Sequence, residues 1–279
     1  GVIRYGMTRD SVLGLEAVLA DGTVIPAMNR MIKNNAAYDV KQLFIGTEGT
    51  LGVITRLVLR LRESPRSTQS ALVACPAFAD VTRFLKHVDG ALGGSLSAFE
   101  LMWNGFYRMV TTPPSKGTPP LPQTYDYYVL VESAGGDPAR DQAQFAEAIA
   151  AAIEAGLVVD AVVCSSEAQR DALWALRDDV EGIFRLGMPV AFDVSLPLAV
   201  MVAYVTEVVG RLEHEWPDYR RFVFGHLGDG NLHIIAAGPP SREAKLGIER
   251  CVYEPLAVRQ GSVSAEHGIG LEKQPWLPL

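Results

Sequence analysis

The chain has 279 residues, 48% of them hydrophobic and 20% charged, with a formal net charge of −7. That composition excludes a long disordered chain, and the acidic balance excludes the basic footprint of a nucleic-acid binder. No window offers the ~18 uninterrupted apolar residues of a membrane span. Cys75, Cys164 and Cys251 are odd in number and far apart, with no CxxC pair. This argues against a disulfide scaffold or a structural zinc knuckle and fits a reducing, cytoplasmic setting. The N-terminal run Gly1-Val2-Ile3-Arg4-Tyr5 lacks the basic start and apolar core of a signal peptide. It reads as strand-like, and the chain closes on Gln274-Pro275-Trp276-Leu277-Pro278-Leu279 without a polar tail, so the whole reads as a fragment of a longer protein.

Residues 1–62 read as β-rich. Ser11 to Leu19 and Leu51 to Leu61 alternate or run apolar around the turn Asp21-Gly22, with the glycine-rich loop Gly46–Gly52 between them. The polar stretch Glu63-Ser64-Pro65-Arg66-Ser67 marks a boundary, giving a domain over residues 1–66 and another over 67–279.

Beyond it the pattern predicts strand 70–75, helix 78–92, strands 96–102 and 126–132, helix 139–155 and strand 157–164, with a proline-rich loop over 111–122. The order β-α-β-β-α-β is the ferredoxin-like split arrangement. It nearly repeats as helix 167–186, strand 189–196, helix 198–216, strands 220–226 and 232–237, and helix 242–259. The fold class is therefore α+β: ferredoxin-like units sharing one antiparallel sheet, with helices on one face.

Three of the five histidines fall in two short motifs. In Gly225-His226-Leu227-Gly228-Asp229-Gly230-Asn231-Leu232-His233 two apolar strands flank a Gly-Asp-Gly-Asn turn. Paired as a hairpin, His226 and His233 would lie opposite one another with Cβ atoms roughly 5 Å apart, which suits two imidazoles on one metal. In Ser264-Ala265-Glu266-His267-Gly268 the adjacent Glu266 and His267 side chains diverge, so one can complete a metal site while the other faces something else. Two histidines and a carboxylate leave coordination positions open, as a catalytic zinc requires. A lone strand histidine such as His87 or His214 is more often just hydrogen-bonded. A Gly-Asp-Gly turn or a Glu-His pair alone means nothing; the combination is what points to a metal. Arg177 falls on the helical stripe Leu173, Val180, Phe184. It reads either as an arginine snorkelling along its stem or as a bidentate clamp on a substrate carboxylate. The loop Gly46–Gly52 could bring backbone N–H groups near a phosphate or flavin, but it matches no nucleotide fingerprint.

Taken together these pieces resemble the FAD-linked oxidase family, in its D-2-hydroxyacid dehydrogenase branch. The resemblance runs through Arg4-Tyr5-Gly6-Met7-Thr8-Arg9-Asp10, Gly14–Gly22, Tyr38–Gly52, Leu173-Trp174-Ala175-Leu176-Arg177, Asp193-Val194-Ser195-Leu196-Pro197 and both histidine motifs. It implies a divalent metal, zinc first with manganese or iron as alternatives, held by His226, His233 and Glu266. Arg177 would match the carboxylate-binding arginine and His267 the general base. The substrate's α-hydrogen would leave as hydride to FAD, giving a 2-oxo acid. Residues 1–66 would be the later part of the FAD-binding domain, with Glu48, Gly49, Gly52 and Ile54 near the cofactor. With the earlier part missing, the fragment is expected to bind FAD poorly and to be inactive alone. The physiological acceptor, an electron-transfer flavoprotein, cytochrome or quinone, is not specified.

Three positions depart from the 2-hydroxyglutarate enzymes. Glu181 stands where they carry threonine or serine, Ala191 where they carry lysine, and Ile235 where they carry asparagine. Losing a cation and gaining a carboxylate disfavours a second substrate carboxylate, which points to a 2-hydroxy acid with a neutral side chain. Two rivals use the same residues differently: a metal-dependent hydrolase, which would be active without flavin, and a non-catalytic subunit of an oxidase, which would be expected to lose metal ligands.

Overall fold

The computed structural model describes residues 1–36 and 38–278, so Leu279 of the closing run lies outside the described residues. The chain divides into two compact units, Gly1–Ser64 and Pro65–Leu279.

The first unit opens not on a strand but on a short helix, α1 (Val2–Tyr5), which ends at Gly6 with φ 75°. A three-stranded antiparallel sheet follows, built from β1 (Val12–Val18), β2 (Val24–Ala27) and β3 (Val53–Leu59), in the order β2-β1-β3. The central strand alone has partners on both sides, and it supplies the fully buried Leu15 and Ala17, which pack with Val12 and Phe44. Asp21 caps the turn between β1 and β2 through the Thr23 N–H at 2.9 Å, with Gly22 left-handed at φ 85°.

The second unit is a seven-stranded, wholly antiparallel sheet. Its elements are β4 (Ser67–Cys75), α2 (Phe78–Ala91), β5 (Leu96–Trp103), α3 (Asn104–Thr111), β6 (Tyr127–Gly135), α4 (Pro138–Glu154), β7 (Asp160–Val163), α5 (Glu167–Asp178), β8 (Met188–Ser195), α6 (Leu198–Glu215), β9 (Arg220–His226), β10 (Asn231–Gly238) and α7 (Arg242–Ala257). The strand order is β7-β4-β6-β5-β9-β10-β8. The first four strands are one complete ferredoxin-like unit, and β9-β10-β8 are three strands of a second. Among the described residues, the edge position beyond β8 holds only the Ser195–Ser262 bridge. Pairing of β5 with β9, Glu100 opposite His226, joins the halves.

Helices cover both faces of this sheet rather than one. Phe84 of α2 packs on Phe99. The opposite side chains of the same strands, Leu72, Met102, Tyr128, Leu130 and Phe224, join a core with α3 and α5. Long apolar runs such as Ala71–Cys75, buried throughout, are what a strand sandwiched between helices requires. The predicted helix 167–186 is also two elements. Asp179 leaves helical geometry (φ −75°, ψ 49°) and accepts a hydrogen bond from Ser115 Oγ at 2.9 Å, and residues 179–186 continue as a 3₁₀ helix. The tighter winding rotates the later side chains, so Phe184 is exposed although Leu173, Leu176 and Arg177 are buried.

Candidate active site

Alternation along antiparallel strands places every second residue on one face. On the α5 face, β5 contributes Glu100, β9 Phe224 and His226, β10 Asn231 and His233, and β8 Asp193, in register Glu100↔His226, Phe224↔His233 and His233↔Asp193. His226 and His233 are therefore diagonal neighbours and not directly opposed; Phe224 is the residue opposite His233. The connection is a 3₁₀ turn over Leu227–Asp229, closed by left-handed Gly230 (φ 82°). Gly225 passes so close to β10 that a Cβ there would lie 2.4 Å from the Asn231 carbonyl oxygen. The imidazole rings of His226 and His233 still meet, with centroids 5.3 Å apart and planes at 83°.

Glu266 and His267 arrive from the loop after α7. Glu266 Oε1 lies 3.5 Å from His226 Nε2, and the His267 ring stands 6.2 Å from that of His233. One ligand atom each from His226, His233 and Glu266 lies within 4.8 Å of the other two. The loop is fixed by Asp193, whose Oδ2 accepts the backbone N–H groups of Ala265 (3.2 Å), Glu266 (2.9 Å) and His267 (2.9 Å) while Oδ1 accepts from Asn231 Nδ2 (2.9 Å). Burial opposes charge on this carboxylate, but those hydrogen bonds and nearby Lys273 outweigh it and hold its pKa at about 2. Lys273 also donates to Ser264 Oγ at 2.9 Å.

Arg177, 5% exposed, reaches the same face from α5. Its Nε donates to Glu100 Oε2 at 3.0 Å, Nη2 lies 3.4 Å from His226 Nε2, and the guanidinium carbon sits 4.9 Å from the centre of the Phe224 ring. Trp174, one turn earlier, donates its indole N–H to Glu132 Oε2 at 2.9 Å. Two carboxylates on neighbouring strands thus hold α5 against the sheet. Arg177 has an anionic partner and does not snorkel.

Electrostatics favour ligation. Burial, aided by the charges of Arg177 and His226, pushes the His233 pKa down to about 3. Its imidazole is neutral at pH 7, the form that binds a metal. The Glu100 hydrogen bond raises the pKa of His226. The donor set suits an ion with borderline nitrogen and oxygen preferences. Asn231 Oδ1, buried on the same face, has no hydrogen-bond partner among the described residues.

In the first unit, the loop 46–52 has left-handed residues at Gly46 (φ 84°), Glu48 (φ 52°) and Gly49 (φ 81°). A Cβ on Gly49 would meet no atom within 4 Å, which leaves room for a ligand against the backbone. Gly52 has a local reason instead, since a Cβ there would lie 2.9 Å from the Val18 carbonyl oxygen. Ile54 is part of β3 and 37% exposed.

Of the departures, Ala191 and Ile235 are register partners one step along the sheet from Asp193 and His233. Ile235 is buried in the α5-face core, and Glu181 is exposed on the 3₁₀ segment. His87 bonds the Ala148 carbonyl, as an isolated histidine does. Glu100 escaped the sequence reading altogether. A single charge inside the otherwise uncharged run Leu96–Trp103 is the available signal.

Residues 64–279 match the family described as FAD linked oxidases, C-terminal domain. A mitochondrial D-2-hydroxyglutarate dehydrogenase of Bos taurus is 40% identical over 276 residues, covering 98% of this chain and 50% of the relative. A D-2-hydroxyglutarate dehydrogenase of Xanthomonas citri pv. viticola is 35% identical over 282 residues, with coverages of 99% and 59%. The chain thus spans about half the length of these curated relatives. Among solved structures, an alkyldihydroxyacetonephosphate synthase superposes with TM-score 0.68 at 13% identity, over 99% of this chain and 54% of that one. A 4-ethylphenol oxidase from Gulosibacter chungangensis gives TM-score 0.66 at 16% identity, over 93% and 58%. Those two likenesses concern the fold.

Proposed function

The chain belongs to the FAD-linked oxidase family through its C-terminal domain, and from that premise we propose that the intact protein oxidises a D-2-hydroxy acid to the 2-oxo acid with FAD and a divalent metal. The observation that carries this reading is the convergence of His226, His233 and Glu266 within 4.8 Å, with Arg177 beside them.

His226, His233 and Glu266 would hold the ion, zinc by ligand chemistry with manganese or iron as alternatives. Bound there, the ion supplies a Lewis acid that acidifies an alcohol. Arg177, with Nε committed to Glu100, turns Nη2 toward the cluster and is the group to bind the substrate carboxylate. His267 is the general base that takes the α-hydroxyl proton. FAD would supply the two-electron acceptor; residues 1–66 would form part of its domain, with Glu48, Gly49, Gly52 and Ile54 as the residues to hold it. The electron acceptor that reoxidises the flavin is a protein or quinone partner. No helix among the described residues is long and apolar enough to cross a membrane. The three unpaired cysteines support a cytoplasmic location, whereas the Bos taurus relative is named mitochondrial.

The apolar pair Ala191 and Ile235 beside the cluster supports a substrate with a neutral side chain. Metal analysis of the full-length enzyme tests the centre: about one divalent ion per chain is expected, lost in His233→Ala. Retention of the ion in that variant would refute the ligand set. Comparing kcat/KM for D-lactate and D-2-hydroxyglutarate tests the substrate, and a clear preference for D-2-hydroxyglutarate would refute the neutral side chain.

A further inference from the structure

Glu100 lies at the middle of the seven-stranded sheet, 5% exposed, where the two half-sheets join. A carboxylate so deeply buried is costly unless it is paired and hydrogen-bonded. Both its oxygens are engaged. Oε2 accepts Arg177 Nε–H at 3.0 Å, and His226 Nδ1 sits 2.8 Å from Oε1 and 2.7 Å from Oε2. A carboxylate only accepts, so the neutral His226 must carry its proton on Nδ1. That leaves the lone pair on Nε2, the atom 3.5 Å from Glu266 Oε1 and 3.4 Å from Arg177 Nη2.

We infer that Glu100 is a positioning residue: it fixes His226 in the Nδ1–H tautomer with Nε2 turned to the Glu266 cluster, and it holds Arg177 beside that nitrogen. The tautomer part rests on Glu100 alone; the consequence for metal binding rests on the reading of His226, His233 and Glu266 as a metal centre. Outer carboxylates that orient a ligating histidine act in this way on metal sites. No amide can replace Glu100. With its oxygen toward Arg177, the amide NH₂ confronts His226 Nδ1–H; with its oxygen toward His226 alone, the NH₂ confronts Arg177 Nε–H.

The test uses the full-length flavoenzyme, labelled with ¹⁵N-histidine and stripped of metal. At pH 8.5 the long-range ¹H–¹⁵N spectrum should show His226 as the Nδ1–H tautomer, whether or not zinc binds. An Nε2–H tautomer in the parent protein would overturn the inference with no variant needed. Zn²⁺ titration then compares Glu100→Gln with Glu132→Gln, which removes the other carboxylate clasp on α5 without touching His226. Glu100→Gln should weaken Zn²⁺ binding about 10- to 100-fold and mix the tautomers, while Glu132→Gln changes neither. Equal losses in both variants, or none in Glu100→Gln, would overturn the inference. If the parent takes up no Zn²⁺, the metal reading fails and the tautomer spectrum still decides the role of Glu100.

Discussion

Asp193 Oδ2 accepts the backbone N–H of His267 at 2.9 Å, across 74 residues of sequence. The same oxygen accepts from Glu266, so a single buried carboxylate sets both the proposed third metal ligand and the proposed base relative to the sheet. Hydrogen bonds to a charged acceptor are each worth about 1.5–3 kcal/mol. Asp193→Asn should therefore cost ~2 kcal/mol or more in urea unfolding and loosen Glu266 with its loop. The sign with pH follows from a folded pKa of about 2 against ~3.9 unfolded. The stabilisation is complete above pH ~4 and is lost as pH falls toward 2, so parent and variant should converge over that window. A stability difference independent of pH across it would show that charge is not the cause.

His233 shifts stability with pH in the same sense, but here burial favours the neutral form. Its folded pKa of about 3 lies below the unfolded ~6.5. As pH falls below ~6.5 the unfolded state takes up a proton that the folded state refuses, and stability is lost progressively toward pH 3. Metal-free protein should accordingly melt at lower temperature at pH 5 than at pH 7.5, with a smaller difference in His233→Gln. Identical pH dependence in the two proteins would contradict the buried neutral imidazole.

Arg177→Lys keeps the charge but loses the planar fork that spans Glu100 and the His226 side of the cluster. In the intact enzyme kcat/KM for the 2-hydroxy acid should drop about 10- to 100-fold, the loss of one charge-assisted hydrogen bond. Lactate amide, which lacks the carboxylate, should be much less affected. An equal drop for acid and amide would mean that Arg177 does not bind the carboxylate.

Ala191 is exposed on β8, opposite Ile235 and one step from Asp193. Ala191→Lys places a cation at that wall and should raise the kcat/KM ratio of D-2-hydroxyglutarate to D-lactate by about tenfold, as expected for one added ion pair of ~1.4 kcal/mol near a partly desolvated site. No change in the ratio would place the distal end of the substrate elsewhere.

Much of this molecule is legible in the sequence because local physics governs it. The β-α-β-β-α-β order follows from apolar periodicity: helix 78–92 is observed as Phe78–Ala91 and strand 220–226 as Arg220–His226. The short α3 escaped because its eight residues abut the proline-rich stretch, and β2 because four residues after a turn carry too little pattern. The split of helix 167–186 hinges on Ser115, 64 residues from the Asp179 it bonds, which no window along the chain contains.

The histidines, Glu266 and Arg177 were identifiable as residue types in short motifs, since turn-forming glycines and adjacent polar groups leave a local trace. Their meeting was expected from the hairpin and the resemblance, but its geometry was not. Strand register is set by the turn and by neighbouring strands together, and it made His226 and His233 diagonal rather than opposed. Glu100 and Asp193 acquire their roles only where β5 meets β9 and β8 meets the final loop. A buried charge is tolerable only beside partners brought from distant stretches, so chemistry of this kind is decided by packing, after the local elements have formed.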